Sequence, residues 1–358
     1  MALAPVKRPA AGKARPKPSS APQLSVVIAA LNEAAALPLL LADLAAQREV
    51  KFEVIVADGG SSDGSAAVAQ SAGAQLLHAP RGRARQLNAG AAAASAGHLL
   101  FLHADTRLYD SRQVAAGLAA LNAAGAGVAG HWPLRFERDV PGHEYFFRYA
   151  EGKTASNRLG TINGDQGLLL AKSFFETLGG FDTSLPYFED QRLAARIFAE
   201  GRFITLPGTL STSARRFERE GHGPRYALMA LIVGMEAAGL HDLMADLPAL
   251  YKAQAETERL DLVPVLCTIH QRLAALSAAQ REQVWAGVGV LLRHNAWQLA
   301  HALDALHPGS EGRLLALFAR VMEPRLQGHF GLAAATALGR NVLGLCFAAA
   351  RMRRALSH

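Results

Sequence analysis

The sequence predicts an α/β fold on a mostly parallel sheet, continued by an all-α C-terminal region. Three observations carry this. Short apolar, β-branched runs alternate with Ala/Leu-rich stretches at helical spacing between residues 24 and 102. The loops between them are short, and beyond about residue 222 only helical periodicity remains. That alternation is the pattern of layered α/β domains.

The run from Leu24 to Leu31 reads as a buried parallel strand, closed by Asn32-Glu33. Ala34 to Gln47 follows as a helix, then Phe52 to Ala57 as a second buried strand that ends in Asp58-Gly-Gly-Ser-Ser-Asp-Gly64. A helix, a strand over 75–78, a helix over 83–94 and a strand over 98–102 come next. Later, an apolar strand over 168–171 and a helix opening at Pro186-Tyr-Phe-Glu-Asp190 are expected. In the helical region, breaks at Gly239, Pro248, Pro264, Pro308-Gly309 and Gly328 delimit five or six helices. The division is a disordered basic tail over 1–22, a catalytic-type α/β domain over 23–221 and a helical domain over 222–358.

The chain has 358 residues, long enough for a substantial core without disulfides. Its two cysteines, Cys267 and Cys346, sit in apolar runs, which excludes a disulfide framework and a Cys-rich zinc site and suits a reducing compartment. The net charge of +7 is unevenly spread. Residues 1–20 carry five basic side chains and no acid, 21–221 carry 19 basic and 20 acidic, and 222–358 carry 13 and 10. The middle of the chain therefore has no polybasic face for a nucleic acid. No run of 18 uncharged apolar residues occurs, so no spanning helix is expected, and no apolar segment follows the basic start as a secretory signal requires. Arg340 to Arg354 holds four arginines and no acid among apolar residues, compatible with an interfacial helix or with a core helix of basic outer face.

In parallel sheets, ligands bind beyond the carboxyl ends of the strands, and the polar clusters fall there. Asp58 ends a strand where a carboxylate can accept from a base or ribose, while Asp63 also suits a helix cap. His103-Ala104-Asp105 ends another, where a carboxylate can share Mg²⁺ or Mn²⁺ with substrate phosphates. Arg83 and Arg85 open a helix, a place suited to diphosphate and poor for the helix dipole. Asn163-Gly164-Asp165-Gln166 precedes a strand. Glu189-Asp190 opens a helix, with Asp190 a candidate general base. Arg215 and Arg216 could steady a phosphate leaving group, or form a charged surface turn. A nicotinamide dehydrogenase is disfavoured, because the loop after the first strand reads Ala30-Leu-Asn-Glu-Ala34 without the G-x-G-x-x-G turn. A nucleotidyltransferase lacks its Gly-rich phosphate loop in the same way.

Taken in order, these clusters resemble the family 2 glycosyltransferases of the GT-A fold, a Rossmann-like mixed sheet that binds nucleotide-diphospho-sugars. The likeness rests on Ser25-Val-Val-Ile28 with Leu31-Asn32-Glu33, Val54 to Asp63, Leu87-Asn88-Ala-Gly90, His103-Ala104-Asp105 and Glu189-Asp190, over residues 24–220. Gly82 to Gly90, His103 to Thr106, Gly164 to Gly167 and Thr212 to Arg216 are similar to a bacterial subgroup described as selenodomain-associated transferase 2 and linked to arsenosugar biosynthesis. The resemblance implies an inverting, metal-dependent transfer of one sugar from a UDP- or GDP-linked donor to a small or lipid-linked acceptor. It implies donor and nucleotide contacts from Leu31, Asn32, Glu33, Asp58, Asp63, Arg83, Arg85, Asn88, His103 and Ala104. Asp105 is the implied ligand for Mn²⁺ or Mg²⁺, with Gly164, Asp165, Gln166, Arg215 and Arg216 on acceptor or leaving group. Asp190, with Glu189, is the implied catalytic group. His103 stands where the family's D-x-D element has its first carboxylate. The processive Gln-x-x-Arg-Trp element is missing, which argues against a polymerising synthase. A cytoplasmic location follows, with peripheral contact at the inner face of the membrane as an option. The alternative is a non-catalytic nucleotide-sugar-binding or scaffold protein with a degenerate GT-A domain.

Overall fold

The computed structural model describes residues 21–252, 259–307, 309–310 and 312–356. The basic tail expected over 1–22 therefore lies almost wholly outside the described residues. The first half alternates as expected: β1 (Leu24–Ala30), α1 (Leu37–Ala45), β2 (Phe52–Asp58), α2 (Ser65–Ser71), β3 (Gln75–His78), α3 (Arg83–Ala93) and β4 (His98–His103). There follow α4 (Gln113–Ala124), β5 (Val128–His131), β6 (Leu134–Glu137), α5 (Glu144–Thr154), β7 (Leu168–Ala171), α6 (Lys172–Thr177), α7 (Glu189–Glu200), β8 (Arg202–Thr205) and β9 (Leu210–Ser213).

Seven strands form one sheet in the order β3-β2-β1-β4-β7-β5-β8. The β3-β2-β1-β4 half is parallel, and β7 runs antiparallel to both β4 and β5. The sheet is thus mixed, and β6 pairs with β9 in a separate two-stranded ribbon. Period-two alternation along β1 feeds two core layers. Val26 and Ile28 pack with α1 and α4 on one face, while Val27 packs with α3 and α7 on the other. The seat of α3 on β1 depends on Gly90, where a Cβ would lie 2.3 Å from Val27 Cγ1. An alanine there has no room, because interiors are packed to crystal-like density.

After β9 every described element is a helix: α8 (Arg215–Glu220), α9 (His222–Ala237), α10 (His241–Lys252), α11 (Val263–Ala275), α12 (Ala278–His294), α13 (Trp297–Leu306), α14 (Arg313–Val321), α15 (Glu323–Leu326) and α16 (His329–Leu356). Beyond residue 222 this makes eight helices among the described residues, against the five or six expected. Pro248 lies inside α10 and breaks nothing, whereas Pro264 sits in the first turn of α11, where its missing N–H is harmless. The break before α12 was not among those expected and is made by a capping box: Ser277 accepts from the Gln280 amide and Gln280 accepts from the Ser277 amide.

A second correction concerns α16. The expectation of no spanning-type segment required a wholly uncharged run, yet α16 is 28 residues long and apolar enough to cross a membrane although Arg340 lies within it. The other described helices are shorter or more polar.

Candidate active site

The first polar corner is built by two loops that zip together beyond the ends of β1 and β2. Asn32 sits in the left-handed region at φ 57°, which asparagine tolerates, and its side chain accepts from the Ser62 amide. Ser65 Oγ accepts from the Glu33 amide, and Asp63 accepts from the amides of Ala34 and Ser65. Asp58 accepts from the amides of Gly60 and Ser61, and its side chain is 3% exposed. Burial alone would raise the Asp58 pKa, but these hydrogen bonds outweigh it and hold the carboxyl below its ordinary value. In this arrangement Asp58 and Asp63 shape the loop, and Glu33 is the side chain the loop delivers to the cleft.

That cleft, of about 290 Å³, gathers groups from distant parts of the chain. Glu33 comes from the end of β1, and His103, Ala104 and Asp105 come from the end of β4. Arg83 opens α3, Asp165 lies before β7, Asp190 opens α7, and Arg215 and Arg216 follow β9. The carboxylates feel one another. The Glu33 pKa is raised by burial and by Asp105, against the opposing pull of Arg215 and Arg216. That of Asp165 is pushed up to about 7 by burial and by Asp190 and Asp105. Asp165 Oδ1 is buried without a hydrogen-bond partner among the described residues. His103 is held neutral, its pKa lowered well below the usual value by burial and by the charges of Arg83 and Arg216.

Asp190 is fixed from two sides. Its Oδ2 accepts from the Gly164 amide at 2.8 Å and its Oδ1 from the Gln191 amide at 2.8 Å. Each oxygen keeps a lone pair for another donor. Gly164 is required for this approach, since a Cβ there would lie 2.7 Å from His103 Nε2 and 3.4 Å from Asp190 Oδ2. Just before the pair, Phe188 adopts φ 77°, a left-handed conformation that costs a non-glycine residue energy. Such strain is held where surrounding structure over-determines it, and here it turns Glu189 and Asp190 to opposite duties. Glu189 is buried, pairs with Arg83 at 3.3 Å and does not reach the larger cleft. The Glu189 and Asp190 charges in turn outweigh the desolvation of Arg83 and raise its pKa.

The remaining expected residues lie outside that cleft. Asn88 binds both backbone groups of Phe181, and so ties α3 to the loop after α6. Gln166 is fully buried and donates to the Thr161 carbonyl. Arg85 is exposed, and neither it nor Leu31 and Asn32 lines the cavity.

Sequence reasoning missed the opposite wall. Lys153 of α5 and Arg225, Tyr226 and Met229 of α9 line the cleft. Lys153 donates to Tyr226 Oη at 2.9 Å, and Tyr226 is within 2.9 Å of Tyr149 Oη. Burial lowers the Lys153 pKa to about 8. The helical region thus closes one side of the cavity, and the only prior signal was an aromatic- and charge-bearing stretch in α5.

Among the described residues no group of three or more His, Cys, Asp or Glu side chains is arranged to hold a metal by itself. Asp105, close enough to Glu33 to raise the proton affinity of Glu33, fits together with it a hard cation shared with phosphate oxygens and water, a mode common for Mg²⁺.

Residues 25–176 match the family model described as "Glycosyl transferase family 2". A PGL/p-HBAD biosynthesis glycosyltransferase of Mycobacterium tuberculosis is 35% identical over 103 residues, 27% of this chain and 40% of its own length. The chain thus matches well under half the length of that curated relative. Among solved structures, the mannosyltransferase PcManGT from Pyrobaculum calidifontis in complex with GDP-Man and Mn²⁺ aligns with TM-score 0.47 at 20% identity, over 82% of this chain and 88% of its own. S. aureus TarS 1–349 in complex with UDP aligns with TM-score 0.44 at 16% identity, over 84% and 88%.

Proposed function

We propose that the chain, whose residues 25–176 match glycosyl transferase family 2, is a GT-A-class member of that family and transfers one sugar from a UDP- or GDP-linked donor to an acceptor hydroxyl. The observation that carries this reading is the cleft itself, where Asp105, Asp165 and Asp190 face Arg83, Arg215 and Arg216. The domain division at about residue 222 belongs to the same reading, with the helical part supplying the acceptor-side wall through Arg225, Tyr226 and Met229.

The donor diphosphate lies between Asp105 and the arginines. A cation held by Asp105 and the diphosphate would supply charge neutralisation there. Arg215 and Arg216 take up the charge that grows on the departing nucleoside diphosphate, in a cleft where pre-set charges need no reorganisation. Asp190 accepts the proton of the acceptor hydroxyl as that oxygen forms its bond to the anomeric carbon. The bond from that carbon to the phosphate oxygen breaks in the same step, and the electron pair leaves with the diphosphate. Attack opposite the leaving group inverts the anomeric configuration. Proton NMR of the first product formed should show that inversion, and retained configuration would defeat the single-displacement scheme. The selenodomain-associated subgroup is supported by Gly82 to Gly90 and Thr212 to Arg216. A small or lipid-linked acceptor and a cytoplasmic location are parts of the same proposal.

The direct test is calorimetric binding of UDP and GDP with Mn²⁺ or Mg²⁺ and again with EDTA. Binding of one diphosphate should be metal-dependent, and Asp105→Ala should weaken it at least tenfold. Absence of any binding by the folded protein would favour the scaffold alternative, which the lone carboxylate of the His103-Ala104-Asp105 element leaves open.

A further inference from the structure

We propose that Lys153 determines specificity on the acceptor side of the cleft, selecting acceptors that carry an anionic oxygen group, a carboxylate or a phosphate, beside the hydroxyl that reacts. Its role as an acceptor contact rests on the transferase reading, while its capacity to hold an anion rests on geometry alone.

Lys153 stands in the last turn of α5, where a basic side chain would suit the helix dipole equally well from open solvent. Instead it lines the cleft that also holds Asp165 and Asp190. An ammonium has three N–H donors. One goes to Tyr226 Oη at 2.9 Å, and the described residues supply no acceptor for the other two. Nζ also stands over the Tyr226 ring, 4.9 Å from its centre, a contact that attracts a cation without neutralising it. Among the described residues no carboxylate pairs with Lys153, and Asp165 acts on it from beyond ion-pair reach. Burial lowers its pKa to about 8, which still leaves it charged at neutral pH.

The neighbouring cations differ. Arg83 pairs with Glu189 at 3.3 Å and Arg225 with Glu220 at 3.2 Å, and Arg215 and Arg216 serve the diphosphate. The countercharge of Lys153 has to come from what binds. Its supporting hydroxyl offers none. Tyr226 is held by Tyr149 Oη at 2.9 Å and donates to Gln298 Oε1 at 3.3 Å, and burial raises its pKa, so it stays neutral. Phe136, Phe217 and Met229 line the same cleft and lower the local dielectric, which strengthens a contact between an ammonium and an anion. A desolvated cation fixed in direction, with donors to spare and no internal partner, is a site for an anionic oxygen.

The test compares three hydroxyl probes built on one carbon skeleton: glycerol, glycerate and glycerol 3-phosphate. Calorimetry uses the full chain saturated with whichever nucleoside diphosphate binds, so that Arg215 and Arg216 are occupied, or the unliganded chain if neither does. The anions should bind about tenfold or more tighter than glycerol, and the tighter of the two tells phosphate from carboxylate. Lys153→Met and Lys153→Gln should each weaken the anions about tenfold or more, and Lys153→Arg should keep the preference. The glutamine retains a donor for Tyr226, so it separates loss of charge from loss of support and covers a methionine variant that fails to fold. With donor present, the ratio of kcat/KM between anionic and neutral probes, read from diphosphate release, should collapse in the same two variants. Anion affinity that survives loss of the Lys153 charge overturns the proposal, as does glycerol binding as tightly as the anions or no binding of any probe. Lys153-dependent anion binding with no diphosphate release from any donor would instead overturn the transferase reading and leave the anion site standing.

Discussion

Asp190→Asn should lower turnover by about 10²–10⁴-fold while leaving donor affinity within about threefold, the loss expected when a general base alone is removed. The asparagine keeps one carbonyl oxygen for the Gly164 amide, so the turn that carries the site survives. It gives up the second acceptor, which Oδ1 offers to the Gln191 amide at 2.8 Å. That amide lies in the first turn of α7, where N–H groups have no intrahelical partner in any case. The fold should therefore tolerate the change at a cost of about 1 kcal/mol. Release of nucleoside diphosphate from whichever donor binds, with water or an added alcohol as acceptor, provides the rate. Calorimetry of the diphosphate provides the affinity. Equal loss of both would place Asp190 in donor binding, and full activity of the variant would shift the base to Asp165, the other carboxylate lining the cleft near the Gly164 turn.

The second large effect concerns Asp165 and pH. In the metal-free protein its carboxyl titrates near 7, against an ordinary value of 3.8. Between those values the folded state holds a proton that the unfolded chain has released, so this group makes stability fall as pH rises from about 4 to 7. Above 7 the penalty is complete, because burial and the Asp190 and Asp105 charges then act on an ionised group. Asp165→Asn is neutral throughout and escapes it. The variant should match the parent near pH 4 and exceed it at pH 7.5 by up to about 4 kcal/mol, three pH units at about 1.4 kcal/mol each. Lys153 does not blur the comparison. Its pKa is lowered, so its contribution rises with pH only between about 8 and 10.5, outside this window. Urea unfolding at both pH values, in EDTA, measures the difference, and a variant less stable than the parent at pH 7.5 would show that Asp165 is ionised at little cost in the folded protein.

Both effects arise from residues whose type was legible and whose company was not. Asp165, just before an apolar strand, was marked through the family resemblance, whereas Asp190 opens a helix and was marked as a candidate base by that position. Glu189 stands in the same cluster, one residue away, yet helical geometry turns it from the cleft towards Arg83. Asn88 and Asp58 carry the same polar chemistry as the residues lining the cleft. One binds the backbone of Phe181 and the other accepts from the amides of Gly60 and Ser61. No spacing along the chain distinguishes a polar group that faces a ligand from one that faces its own loop.

The sequence by itself determined the parallel half of the sheet, the placing of polar clusters beyond its strand ends and the helical nature of everything after residue 222. These follow from periodicity, Gly/Pro punctuation and strand-end composition, which act over a few residues at a time. Tertiary structure alone decided that β7 enters antiparallel between β4 and β5. It also brought Lys153 and Tyr226, 73 residues apart, to form the far wall of the cleft. It left the Leu338-to-Leu356 stripe of α16 facing outward while Phe347 turned inward. Such outcomes depend on which apolar faces find each other, and a face encodes its own hydrophobicity without naming its partner.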